Sequence, residues 1–324
     1  MTFDTTKMVA LTTGQSSADA TDTAGTTITL NGVLSGDGAL KKTGAGTLTL
    51  SGNNTFTGGV TLSAGTLELG HNNALGNGTY SALTVTGDSE LKLGGGLNVA
   101  NNVVFDNSAG TVSALTINVA ADTELSGGLL SFDQNEIRKV GAGTLTLSGD
   151  NQWFSHGTIS IEEGTILAKS ANALGAVAEA SDNKVRLSGG QLEVGSGVTL
   201  AQTNIEIVLS DAYSSTAAIT GTGALAAGAR ITIADIQAAA IAAESALGND
   251  SLTFQIATAY STIATSLAKE NFVLAEALQG TWQISDYTDG VLTISAIPEP
   301  STFGLLAGLG ALALAGTRRR RKKA

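Results

Sequence analysis

The chain has 324 residues, of which 17 are Lys or Arg and 28 are Asp or Glu, for a formal net charge of −11 at pH 7. It contains no cysteine, which excludes disulfide-stabilised folds and thiolate metal sites. Six cations and one carboxylate lie after residue 297, so 11 cations and 27 carboxylates remain before it, a net charge of −16. A body this acidic repels nucleic acid, and no nucleic-acid partner is predicted.

Residues 1–25 are rich in Thr, Ser, Ala and Asp, and they predict an irregular leader, which is either flexible or an irregular first coil. The first residues lack the basic and apolar regions of a signal peptide. Because other features described below predict export, we expect the start of this sequence to be truncated or misassigned.

From residue 26 onward, short segments alternate apolar with polar residues, which predicts strands with one buried face. The segments in the first half are 27–30, 47–50, 60–62, 66–69, 83–85 and 91–93. Gly, Asn, Asp and Ser between them supply the backbone geometry of tight corners. The alternation by itself equally allows a β-sandwich.

A longer repeat underlies these strands. Residues 40–54 recur as 137–151, and the tetrapeptide Asn-Ala-Leu-Gly occurs at both 73–76 and 172–175. We therefore predict two related blocks, 26–108 and 109–210, each built of several short coils.

Residues 44–69 resemble the autotransporter-associated β-strand repeat. The resemblance implies an all-β fold, a right-handed parallel β-helix (β-solenoid). The second copy departs from the family pattern at residues 152–156, where bulky side chains replace a compact turn. This departure is expected to change the local corner and to leave the fold unchanged.

Residues 211–296 are predicted to form a C-terminal cap of mixed α/β structure, because an open solenoid end exposes apolar residues and unpaired strand edges. The Ala-rich segment 234–247 predicts a helix, with Asp235 in its first turn. A second helix is expected within 262–279. Segments 281–285 and 290–295 predict a closing hairpin.

The last segment, 297–324, differs from everything before it. It contains Pro298, Glu299, Pro300 and Ser301, then an apolar run, then six cations, namely Arg318, Arg319, Arg320, Arg321, Lys322 and Lys323. The prolines hold the first part extended and accessible to an enzyme. The uncharged segment 302–317 predicts a transmembrane helix, somewhat short for a hydrocarbon core of about 30 Å, with the cations on the cytoplasmic side. Taken alone, this pattern also fits a permanent membrane anchor.

These three parts, in this order, resemble the PEP-CTERM sorting signal of Gram-negative bacteria. The resemblance implies that an exosortase, a membrane-embedded cysteine transpeptidase, recognises Pro298, Glu299, Pro300 and Ser301. It further implies a precursor tethered to the inner membrane and a mature form at the cell surface or outside the cell.

No set of titratable residues in the sequence predicts an active site. His71 and His156 show neither a metal-binding spacing nor a neighbouring nucleophile motif, and we interpret them as turn residues. Glu162 and Glu163 are interpreted as a solvated strand end. Polysaccharide-cleaving β-helices use carboxylates from successive coils, but this sequence shows no aspartate pair of that type.

Several turns carry oxygen-rich side chains that suit weak calcium binding: Asp37, Asp88, Asp106, Asp122 and Asp182. The Gly-Gly-x-Gly-x-Asp nonapeptide of calcium β-rolls is absent, so no metal site and no cofactor are predicted. The Asn-Asn pairs at 53–54, 72–73 and 101–102 are expected to form side-chain hydrogen bonds between coils.

Together these observations predict a non-enzymatic, exported β-solenoid that acts as a spacer, adhesin or matrix component. Its predicted partners are the exosortase, transiently, and an extracellular polysaccharide or surface matrix. The alternative is a polysaccharide-active β-helix enzyme, either a lyase or a glycosidase.

Overall fold

The structure is a computed structural model that describes residues 3–4, 9–12, 27–77, 81–108, 113–175, 183–201, 204–237, 241, 251–259 and 261–297. Across these residues the chain forms a parallel β-solenoid followed by a short antiparallel sheet. The predicted all-β solenoid is therefore confirmed, and its right-handedness stays a prediction.

Three parallel sheets form the walls of the solenoid. Sheet I contains Thr27–Leu30, Thr47–Leu50, Gly65–Leu69, Ser89–Leu93, Ala114–Val119, Glu136–Val140, Thr158–Ile161, Lys184–Leu187, Asn204–Leu209, Arg230–Ile236 and Phe272–Leu274. Sheet II contains Val9–Thr12, Leu40–Thr43, Val60–Leu62, Leu83–Val85, Val103–Phe105 and Leu129–Leu130. Sheet III contains Asn98–Val99, Thr123–Leu125, Thr144–Leu147, Thr165–Ala168, Gln191–Val194 and Ile219–Gly221.

Two further strand pairs lie beside these walls. Phe3–Asp4 pairs in parallel with Leu34–Ser35, and Thr199–Leu200 pairs with Ala224–Leu225. Residues 3–4 and 9–12 therefore extend the solenoid, which agrees with an irregular first coil and not with a flexible leader. The physical reason is that an unpaired strand edge is stabilised when an extended segment adds to it.

The core consists of apolar side chains stacked in register from coil to coil. Leu48, Leu67 and Leu91 occupy successive rungs of sheet I, and all three are buried. Their polar neighbours along each strand face outward, as the period-2 pattern predicts. Full burial of one leucine contributes about 1.5–3 kcal/mol to stability. Because the leucines of each coil are buried by the coils above and below, the stability of a coil depends mainly on those contacts.

The two copies of the long repeat lie on different walls. The register of sheet II runs from Leu40 through four coils to Leu129. The repeat counterpart of Leu40 is Ile137, which belongs to sheet I instead. From the first copy of the repeat to the second, the chain completes four coils and then advances to the next wall. The second copy is therefore rotated about the solenoid axis relative to the first.

The C-terminal cap is an antiparallel sheet with Val291–Ala296 in the centre, flanked by Ser251–Gln255 and Trp282–Thr288. The predicted closing hairpin is confirmed. Its two-residue turn has positive φ angles of 48° at Asp289 and 90° at Gly290, which are the values that a type I′ hairpin requires.

Short helices lie near this cap. They are the 3-10 helices Asp211–Ser214 and Lys269–Asn271 and the α-helices Thr262–Ser266 and Glu276–Gln279. The single helix expected within 262–279 is therefore interrupted, because Phe272–Leu274 pairs as a strand with sheet I. Its alternation of buried and half-buried apolar residues suits an edge position on that sheet.

The Ala-rich helix prediction is wrong at its start. Strand Arg230–Ile236 continues through residues 234–236, where Asp235 and Ile236 pair with Val208 and Leu209 of the preceding coil. Pairing with an available strand edge outweighs the helix preference of alanine. Ile241 is helical, and the rest of that segment lies outside the described residues apart from Gln237.

No helix within the part of the chain described by the structure is long and apolar enough to cross a membrane. The predicted transmembrane segment, 302–317, lies outside that part.

Candidate functional site

The two histidines lie in different coils and do not form a common site. The Nδ1 atom of His71 accepts a hydrogen bond from the backbone N–H of Asn73 at 3.0 Å, which stabilises a turn. His156 Nδ1 lies 2.9 Å from the hydroxyl oxygen of Ser155.

The adjacent glutamates Glu162 and Glu163 both make structural contacts with the preceding coil. Arg138 forms a two-pronged ion pair with Glu162, with N–O distances of 2.7 and 3.1 Å. Glu163 accepts a hydrogen bond from the backbone N–H of Gly141 at 3.1 Å. These bonds join coils, and such bidentate pairs are geometrically specific.

The turn aspartates cap backbone N–H groups. Asp88, Asp106 and Asp122 accept from Ala114, Ser108 and Thr144 at 2.9–3.0 Å. These backbone hydrogen bonds lower the carboxyl pKa of both Asp106 and Asp122, because they stabilise the charged form. Among the described residues, no three His, Asp or Glu side chains are grouped so as to hold a metal ion. Asp182 lies outside those residues.

The predicted asparagine bonds between coils are present. Asn54 is buried, accepts from Leu34 N at 2.8 Å and donates to Ala74 O at 2.7 Å. Asn151, its repeat counterpart, makes two equivalent bonds on the next wall of the solenoid. It accepts from Leu129 N and donates to Ala173 O. Further bonds between coils involve the side chains of Asn53, Asn72, Asn73, Asn101 and Asn102.

Two buried lysines are the feature that sequence reasoning missed. Lys42 is fully buried, and its ammonium group donates to the carbonyl oxygens of Thr43, Gly44 and Ala64 at 2.7–3.2 Å. Lys139 makes the equivalent three bonds, at 2.6–3.1 Å. Removal from water lowers the pKa of both lysine side chains. The pKa of Lys139 falls to about 8, although the negative charge of Glu163 acts to raise it.

A glycine completes the cage around Lys42. Gly65 has a φ of 71°, and a Cβ atom there would lie 2.5 Å from Lys42 Nζ and 2.3 Å from Gly44 O. A larger residue would therefore fill the space of the ammonium group. The sequence does carry a signal for these sites, because Lys42 shares the inward-facing side of its strand with Leu40.

A pair of exposed aromatic side chains lies where two neighbouring coils meet. Phe132 is 63% exposed and Trp153 is 54% exposed, and their ring centroids are 6.1 Å apart with an interplanar angle of 59°. The two segments are joined by the bridge between Ser131 and Phe154, and Ser131 N donates to Trp153 O at 3.0 Å. We call the two rings the aromatic pair.

The same two segments contribute to a cleft of about 410 Å³. Its lining residues are Gln134, His156, Thr158, Lys184, Asn204 and Glu206, contributed by four successive coils. Lys184 Nζ lies 3.1 Å from Glu206 Oε1, so the two charges inside the cleft are paired. We call this feature the polar cleft.

The residues predicted for sorting, Pro298, Glu299, Pro300 and Ser301, and the six terminal cations lie outside the described residues. The structure does describe what precedes them. Strand Val291–Ala296 is the central strand of the cap, and Ile297 N donates to Thr281 O at 2.8 Å. The predicted recognition motif therefore follows directly after a strand that is paired on both sides.

Comparison with protein families identifies two matches. Residues 40–69 and 137–168 match the passenger-associated-transport-repeat, and residues 296–321 match the PEP-CTERM protein-sorting motif. Both predicted resemblances are thereby confirmed. We found no match among curated proteins or solved structures.

Proposed function

We propose that this chain is an exported, non-enzymatic β-solenoid displayed at the cell surface or in an extracellular matrix, where it acts as a spacer or adhesin. The observation that carries the proposal is the match to the PEP-CTERM motif, which begins at Ala296, the last residue of the last strand of the cap. Cleavage there by an exosortase would remove the apolar and basic tail and leave the paired cap strand intact.

The contacts of the solenoid support a structural role. The polar side chains of Glu162, Glu163 and Asn54 bond to neighbouring coils. A stack of coils linked in this way forms an elongated body whose length scales with the number of coils. Such a body suits a spacer that holds a binding surface away from a membrane.

The enzymatic alternative has less support. Among the residues that line the polar cleft, Glu206 is the one carboxylate, and it is paired with Lys184. Glycoside hydrolysis generally uses two carboxyl groups about 5–10 Å apart. A panel of acidic and neutral polysaccharides incubated with the full-length chain tests this alternative, and turnover of any member would favour an enzyme.

The display proposal is tested by fractionation of the native host. We expect the wild-type chain in the surface or medium fraction and a Pro298→Ala/Pro300→Ala variant in the inner-membrane fraction, because the variant loses the stiff extended motif. A Ser16→Ala/Ser17→Ala variant is the control for substitution itself. Equal distribution of all three chains would refute processing through this motif.

A further inference from the structure

The aromatic pair is exposed without a packing role of its own. In the first repeat copy one residue separates buried Asn54 from buried Phe56, whereas in the second copy two residues separate buried Asn151 from buried Phe154. Phe154 fills the core position that Phe56 fills in the first copy. The second copy thus has one more residue between the buried Asn and the buried Phe, and Trp153 lies in this longer segment. The fold of the repeat therefore does not require Trp153.

The surroundings of the rings are polar. Gln152 and Asp150 are exposed beside Trp153 and bond to each other at 3.2 Å. Asp133 follows Phe132 and is held by Asn107 at 3.1 Å. The exposed apolar surface is thus limited to two rings, far less than the total of at least about 1,000 Å² that a stable protein interface buries.

The polar cleft receives two of its lining residues from the segments that carry the rings. Gln134 lies two residues after Phe132, and His156 lies three residues after Trp153. The volume of about 410 Å³ falls within the range of roughly 300–1,000 Å³ that small-molecule sites occupy. Its lining contains amide, imidazole, hydroxyl, ammonium and carboxylate groups, which as chemical types include both donors and acceptors.

A sugar chain has the chemistry that matches both features. Pyranose rings present C–H groups that pack on an aromatic face, and their hydroxyl groups both donate and accept hydrogen bonds. The Lys184–Glu206 pair adds no net charge to the cleft, and the body of the chain is acidic, so a polyanionic glycan is disfavoured.

We infer that the aromatic pair and the polar cleft together form a binding site for a neutral oligosaccharide, which packs on Trp153 and Phe132 and extends toward Gln134 and His156. This inference rests on the proposed surface display, since it names the ligand class that an adhesin or matrix component would hold. The insertion in the second repeat copy is then a functional addition to a structural coil.

Calorimetric titration of the full-length chain tests the site. The probes are hexasaccharides of β-1,4-glucose, α-1,4-glucose, β-1,3-glucose and β-1,4-N-acetylglucosamine, with hexagalacturonate as the anionic comparison. We expect at least one neutral probe to bind, and Trp153→Ala and Phe132→Ala to weaken that binding at least about tenfold. Trp153→Phe should retain most of the affinity. Val33→Ala, at another exposed apolar residue, should leave the affinity unchanged.

Three results would overturn the inference. They are absence of binding by every neutral probe at millimolar concentration, equal affinity in wild type and Trp153→Ala, and tighter binding of hexagalacturonate than of any neutral probe. A self-associating wild type that Trp153→Ala converts to a monomer, without sugar binding, would assign the rings to a protein contact instead. These outcomes are independent of the cell fractionation, so failure of the site and failure of the display proposal are distinguishable.

Discussion

At the residue scale, Lys42 and Lys139 link the turn that follows their own strand to the corresponding turn of the next coil. Each ammonium group uses its three protons on three carbonyl oxygens, which belong to the last residue of its own strand, to the turn that follows and to the next coil. A buried cation is tolerated here because every donor has an acceptor.

Replacement of either lysine by methionine should lower the free energy of unfolding by about 1–3 kcal/mol, because buried carbonyl groups lose their donor while the apolar packing is kept. Lys41 is the matched control, since it lies on the outward side of the same strand, and Lys41→Met should change stability by less than about 0.5 kcal/mol. Urea unfolding of the three variants measures this. Equal losses in Lys41→Met and Lys42→Met would contradict the cage.

The pKa of Lys139, about 8 in the folded chain against 10.5 for an ordinary lysine, also predicts a pH dependence. Between these two values the unfolded state binds more protons than the folded state, so the stability of the folded state rises with pH through this window. The difference in unfolding free energy between wild type and Lys139→Met should therefore increase from pH 8 to pH 10.5. A constant difference would place the folded pKa at its ordinary value, and a shrinking difference would place the folded pKa above that value.

At the scale of elements, the turn at Asp289 and Gly290 connects the two paired strands Trp282–Thr288 and Val291–Ala296 of the cap. A Cβ atom on Gly290 would lie 2.2 Å from Ala257 O, and the residue has a φ of 90°. Gly290→Ala should therefore destabilise the cap by at least about 1–3 kcal/mol.

Gly280 provides the matched control for this substitution. It has a φ of −82° and no atom within 4 Å of a Cβ position, so Gly280→Ala should be neutral or slightly stabilising. Limited proteolysis within 251–297, together with thermal unfolding, reports cap stability. Similar behaviour of the two variants would show that the turn does not control it.

The strands were predictable because the alternation of apolar and polar residues is a local feature of the sequence. The wall on which each strand lies was not, since the walls are related by rotation and the repeat spacing includes one wall beyond four coils. The prediction of a helix at residues 234–236 was wrong for a related reason. Helix preference depends on the segment itself, whereas the strand edge at Val208 and Leu209 exists only once the chain has folded.

The candidate site was only partly visible in the sequence. Residues 152–156 stood out as a departure from the repeat, but alternation does not say whether a loop side chain is exposed. Phe132 and Trp153 are 21 residues apart, about one coil, and that spacing was the available signal. The cleft could not be predicted, because Gln134, Lys184 and Glu206 meet only when four coils are stacked.

At the scale of the whole molecule, the chain combines an acidic solenoid with a basic, apolar tail. The sorting motif matches the tail, and the transport-repeat matches two segments of the solenoid. The net charge of −16 before residue 298 should keep the released body soluble and away from anionic surfaces. The proposed surface display therefore requires removal of the tail after export.

Intact-mass spectrometry of the chain from its native host tests this claim most directly. In wild-type cells we expect a mature chain that ends within 298–301 and lacks residues 302–324, and in cells without the exosortase we expect the tail to be retained. A wild-type mature chain that still carries residues 302–324, or a tail that is lost equally without the exosortase, would contradict the account.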